Sequence, residues 1–215
     1  MQKMLPRQEI RVGRFVKDGK RRVYPIAPRM TDYPAQVSES TFTPEQLEVL
    51  QDRKQEFFGE DDTSSVREIL EKLSKKSELS KVLLDVLPAD IPVIIENIPH
   101  VTTSDGKQAL GYYSTNSNMI TLGLAGITAS TMVHEIMHGM SLDYMKSNPD
   151  NEAVKDFKSI FEYAKTLPEL QGEYGLTNEF EYMSELFGNT RFQKKLSNAR
   201  PMKGIKPYKN LFQQI

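Results

Sequence analysis

The run Val133-His-Glu-Ile-Met-His-Gly139 constrains this chain more than any other stretch. On a helix, residues four apart stack on one face, so His134 and His138 aim two imidazoles at one point. Two neutral nitrogens converging in this way suit a tetrahedral zinc ion at about 2.0–2.1 Å, and Glu135, next to the first histidine, can reach a water on that ion. Val133, Ile136, Met137 and Met140 follow the i, i+3, i+4, i+7 rule. That stripe is expected to be buried, leaving the imidazole pair on its flank at the wall of a cleft. The competing reading is a core helix with two hydrogen-bonded histidines, which gives no reason for this spacing with glutamate between them.

A zinc site that performs chemistry takes three protein ligands and keeps one position open. A third histidine in the pattern H-E-x-x-H-x-x-G-x-x-H needs a glycine three residues after His138, and a histidine three further on. The chain has Ser141 and Tyr144 there, which excludes that class. The one other histidine, His100, lies upstream on a loop and reads as a bystander, so a ligand from the C-terminal side must be a carboxylate. The segment Thr177-Asn-Glu-Phe-Glu-Tyr-Met-Ser-Glu-Leu-Phe-Gly188 supplies two candidates. Phe180, Met183, Ser184 and Phe187 form a helical stripe, with Glu181 and Glu185 four apart on its flank. Packing the two helices stripe to stripe brings Glu181 to the metal. Glu185, one turn on, then accepts an N–H from a ligand imidazole and fixes its tautomer. Two plainer readings compete: a capping box with Asn178 as cap and Glu181 reaching back to it, and a solvated face for Glu185.

With these residues in view, the chain resembles the catalytic domain of anthrax toxin lethal factor and its relatives, a zincin-like group. The resemblance rests on His134 to His138 followed by Tyr174-Gly-Leu-Thr-Asn-Glu-Phe-Glu181-Tyr-Met-Ser-Glu185, and covers roughly residues 90 to 200. It implies two histidine ligands, a catalytic glutamate at 135, a glutamate ligand at 181 and a second glutamate at 185. It also implies that Tyr174 stabilises an oxyanion or donates a proton. The chain departs from the family in carrying Ser184 where relatives commonly have alanine. The tail Leu186-Phe-Gly-Asn-Thr-Arg-Phe192 is also similar to metallopeptidase-like domains of phage-encoded polyvalent proteins.

The chain has 215 residues, 38% of them hydrophobic and 27% charged, enough for one substantial core and an extension. It has no cysteine, so zinc ligands must be histidine or carboxylate, which fits a reducing compartment. Neither an apolar leader at Met1-Gln-Lys-Met-Leu-Pro-Arg nor a membrane-length apolar run is present, and a cytoplasmic or virion-associated location is expected. Residues 1–30 hold nine Lys or Arg against two acidic residues, a net +7 in a chain whose total is −1. Such an arm is expected to form a basic hairpin, Ile10–Val16 with Arg21–Ile26 around Asp18-Gly19. Its charge reads as a solvated face, or as a contact for an acidic or nucleic-acid partner. Residues 27–42 read as a linker or extended arm, dividing the chain into an arm (1–42) and a metallopeptidase domain (43–215).

Within the domain, a helical lead-in spans 43–90. Its helices are predicted at Thr43 to Phe58, 64–76 and 78–87, the first capped by Thr43 with Pro44 at its first position. The catalytic core spans 91–200. Ile91–Glu96 reads as a buried strand, and Leu110–Tyr113 and Met119–Leu122 as short strands before a metal helix starting near Thr128. Helices are expected at Asn151–Leu167, 189–198 and 207–214. The whole reads as an α+β zincin-like fold, a small mixed sheet packed on the H-E-x-x-H helix. If Gly111, Tyr112 and Tyr113 form an edge strand, a substrate peptide can pair with them. The expected activity is a zinc-dependent endopeptidase. The alternative is a non-catalytic scaffold or virion component with a structural or vestigial zinc site.

Overall fold

The computed structural model describes residues 42–87 and 90–203, together with the backbone of three N-terminal strands, β1 (Val12–Lys17), β2 (Lys20–Pro25) and β3 (Asp32–Pro34). The fold is α+β with a small mixed sheet. β1 and β2 pair antiparallel with Lys17 opposite Lys20, as the hairpin reading requires. The Asp18-Gly19 turn, the side chains of the arm and the helix expected at 207–214 lie outside the described residues.

Each helix begins where a short polar side chain can accept the orphan N–H groups of a first turn. Thr43 and Gln46 form a capping box at the start of α1 (Pro44–Phe58). Ser65 and Glu68 form another at α2 (Val66–Ser74), and Ser77 caps α3 (Glu78–Val86). Thr128 caps α4 (Ala129–Ser147), the helix carrying H-E-x-x-H, and Asn151 caps α5 (Glu152–Ala164). Asn178 caps α6 (Glu179–Gly188), and Asn189 caps α7 (Thr190–Asn198).

The remaining strands are β4 (Thr63–Ser65), β5 (Pro92–Glu96), β6 (Val101–Thr102), β7 (Gln108–Ala109), β8 (Gly111–Ser114) and β9 (Met119–Gly123). A five-stranded sheet runs in the order β3-β8-β9-β5-β4. Its β5–β9 pair is parallel and the others antiparallel, with β6 and β7 forming a separate two-stranded pair. One core gathers α2, β5, β9 and α4 through Val66, Leu70, Val93, Ile120, Leu122 and Ile136. A second gathers α5, α6 and α7 through Phe157, Ile160, Phe161, Tyr182, Phe192 and Leu196. Met183 and Phe187 of α6 pack against both, so α6 is the seam.

Three expectations are corrected. β8 is not an edge strand: Asp32, Tyr33 and Pro34 of β3 stand opposite Ser114, Tyr113 and Tyr112. A substrate peptide therefore finds that ladder occupied, and the Tyr112 and Tyr113 side chains are buried in the core. The stretch read as a linker thus adds a strand to the domain's sheet. Residues 63–65, read as a break followed by a helix start, are a short strand on β5, since Asp62 and its neighbours satisfy β5 donors before Ser65 opens α2. Finally, the stripe assigned to α6 is widened: Ser184 is buried and Phe180, Met183 and Phe187 pack inward, but Tyr182 and Leu186 are buried too, because α6 serves two cores and must bury two faces.

Candidate metal centre

α4 and α6 cross closely enough for their backbones to nearly touch. A Cβ on Gly188 would come within 3.0 Å of the Ser130 carbonyl oxygen and 3.1 Å of the His134 Cβ, so any larger residue would push the helices apart by a few tenths of an ångström. The Ser130 hydroxyl donates to the Gly188 carbonyl and ties the two helices at that point. Within about two turns of that point on each helix the candidate side chains meet.

Nε2 of His134 and Nε2 of His138 lie 3.1 Å apart. Oε2 of Glu181 is 3.2 Å from the first and 3.5 Å from the second. Three ligand atoms on a tetrahedral zinc at about 2.0–2.1 Å stand about 3.3–3.4 Å from one another, so the triangle has the size a bound ion requires. All three residues are buried, and together they form a His-His-Glu group able to hold a metal ion. Oε2 of Glu181 is sealed from solvent and makes no well-formed hydrogen bond among the described residues. A buried carboxylate oxygen facing two imidazole nitrogens is costly unless positive charge, a metal ion or a proton on His134, sits among them.

The other nitrogen of His134 is engaged too: Nδ1 lies 3.2 Å from Oε1 of Glu185. An Nδ1–H donated to that carboxylate leaves the Nε2 lone pair directed at the triangle, the arrangement a metal-ligating histidine needs. Glu181 does not reach back to its helix start. Asn178 alone caps α6, accepting from the N–H groups of Phe180 and Glu181. The capping-box reading of Glu181 therefore fails, and the solvated-face reading of Glu185 fails with it.

Charge in this group is strongly coupled. Burial opposes charge on His134, yet the carboxylates of Glu181, Glu185 and Glu135 outweigh it and raise its pKa to about 10. For His138, burial and the neighbouring His134 charge win, and its pKa is lowered. Burial pushes Glu181 upward, but the two imidazoles prevail and hold it at about 2. Without metal the group thus keeps one proton on His134, where an ion would sit.

Glu135 is fully buried behind the first histidine, where Gly111 of β8 leaves room: a Cβ there would lie 3.5 Å from the Glu135 Cγ and 2.6 Å from a Leu122 methyl. Tyr174 sits on a short helical turn, Tyr174–Leu176, its ring stacked at 6.4 Å on His134. Burial and the charge of Glu181 raise its phenol pKa, so it remains a proton donor at neutral pH. His100 packs against Phe42 in a T-shaped contact, apart from the three-residue group. Gly111 therefore borders the site, whereas the Tyr112 and Tyr113 side chains belong to the core. Sequence reasoning overlooked Gly188 and Asn189; a helix ending in Gly-Asn directly before a second helix was the available signal.

No helix among the described residues is long and apolar enough to cross a membrane. No family model, curated protein or solved structure matches the chain.

Proposed function

We propose that the chain is a zinc-dependent endopeptidase in which His134, His138 and Glu181 hold the metal. The observation that carries this reading is the triangle of two Nε2 atoms and one Oε2 with sides of 3.1, 3.2 and 3.5 Å. Among the described residues that group has three members and no fourth protein ligand. This suits a catalytic site, with one position open, better than a closed structural one. Two imidazoles and a carboxylate favour zinc over harder cations.

Zinc, when bound, supplies Lewis acidity that polarises a carbonyl and brings the pKa of water toward about 7. The rest falls to the chain's own side chains. Glu135 takes a proton from the attacking water as the new C–O bond forms, then delivers it to the amine nitrogen as the C–N bond breaks. Tyr174, held neutral, donates a hydrogen bond to the developing oxyanion. Glu185 holds His134 in the tautomer that keeps Nε2 available.

The deciding experiment compares wild type with Glu135→Gln and Glu181→Ala on a casein or peptide-library substrate, with metal content measured in each. Glu135→Gln is expected to retain equimolar zinc and lose roughly 10²- to 10⁴-fold in turnover. Glu181→Ala is expected to lose the metal. Undiminished cleavage by Glu135→Gln removes the general-base assignment, and unchanged zinc affinity in Glu181→Ala removes the third ligand.

A further inference from the structure

We infer that Asn189 is a positioning residue for the metal centre, acting through Glu185 and His134; the inference rests on the metal-site reading above. Asn189 ends α6 and begins α7, and its side-chain amide serves both sides of that junction. Its Oδ1 accepts the N–H groups of Arg191 (3.0 Å) and Phe192 (3.2 Å), capping α7. Two donors at Oδ1 fix the amide orientation, since Nδ2 cannot accept from them. Nδ2 therefore points the other way, and it donates to Oε2 of Glu185 at 2.6 Å.

The consequence falls on Glu185. The Glu185 side chain is 12% exposed, and a long glutamate side chain needs a partner at each oxygen to hold a single rotamer. Asn189 restrains one oxygen, which leaves Oε1 facing Nδ1 of His134 at 3.2 Å. The imidazole is then held with Nε2 toward His138 and Glu181. The relay starts from a backbone feature, the start of α7, which is itself anchored by fully buried Phe192 and Leu196. Docking of α7 against α6 is thereby coupled to the orientation of a metal ligand on α4.

The test measures zinc affinity by chelator competition, and thermal unfolding of the metal-free protein, for the full chain. Asn189→Asp retains the cap acceptor and replaces the donor with an oxygen facing Glu185. Asn189→Ser keeps a cap residue but is too short to reach Glu185. Both are expected to weaken zinc binding about 10- to 100-fold, the range for losing an outer-shell partner. In a Glu185→Ala background, either substitution is expected to change affinity less than about threefold, because the relay is already cut. If Asn189→Asp does not fold, Asn189→Ser carries the comparison. Wild-type affinity in both variants, or an equal loss in the Glu185→Ala background, overturns the positioning role and leaves the metal site standing. A wild-type chain that binds no zinc overturns the metal site and the positioning role together.

Discussion

His134 faces carboxylates on both sides of its ring, Glu185 at Nδ1 and Glu181 at Nε2, and that double contact dictates how the site responds to pH. Its pKa in the metal-free fold, about 10, lies above the ordinary value of 6.5. A raised pKa contributes stability that is fully present below about pH 6.5 and is lost as pH rises through 10. Glu181, lowered to about 2, contributes stability present above its ordinary 4.5 and lost as pH falls through 2. The metal-free protein is therefore expected to be most stable between these windows, with its melting temperature falling from about pH 6.5 toward 10. Zinc replaces the His134 proton, so binding at pH 8 is expected to release about one proton, measurable with an indicator dye. Binding without proton release contradicts a protonated His134 in the metal-free protein. A second residue stands apart from the metal. The Tyr182 hydroxyl is buried among Phe157, Phe161 and Phe192 without a hydrogen-bond partner among the described residues. Tyr182→Phe is expected to stabilise the fold by about 1 kcal/mol in urea unfolding, since the unsatisfied hydroxyl carries a desolvation cost.

At the scale of elements, the site is made by one helix crossing. α4 brings both imidazoles, α6 brings the carboxylate, and Gly188 sets their separation where it meets the Ser130 carbonyl and His134. Gly188→Ala introduces a Cβ at 3.0–3.2 Å from backbone atoms and His134 Cβ, so the helices must part by a few tenths of an ångström. The expected result is a destabilisation of about 1–3 kcal/mol, the scale of overpacking, with weakened zinc binding. Full zinc affinity in a destabilised Gly188→Ala protein would show that the triangle tolerates wider helix spacing. The strand elements tell a different story. The short strand expected at Leu110–Tyr113 forms as β8, Gly111–Ser114, but β3 pairs with it and removes it from the edge.

For the whole molecule, the proposed ligands bridge two cores. α4 buries Val133, Ile136 and Met137 in the first, while Tyr182 and Leu186 of α6 lie in the second. Zinc bound to His134, His138 and Glu181 is expected to fasten these cores and stabilise the fold by about 2.7 kcal/mol at a free concentration of 100 Kd. Hydrogen exchange is expected to slow in α6 and α7 as much as in α4 when zinc is added. Protection confined to α4 would mean that Glu181 does not share the ion.

The helix-borne parts of the site were legible in sequence because their rules are local. An i, i+4 spacing places two side chains on one helix face whatever the helix packs against, so His134 with His138, and Glu181 with Glu185, could be paired before any fold was known. Caps at Thr43 and Asn178, and a helix start near Thr128, were readable for the same reason, being set within one turn. What tertiary structure decided is long-range. Strand partners depend on register between distant segments, so the pairing of β3 with β8 left no mark within either stretch. The two burial faces of α6, the close approach at Gly188 and the reach of Asn189 to Glu185 likewise follow from how α4, α6 and α7 pack, which no local period encodes.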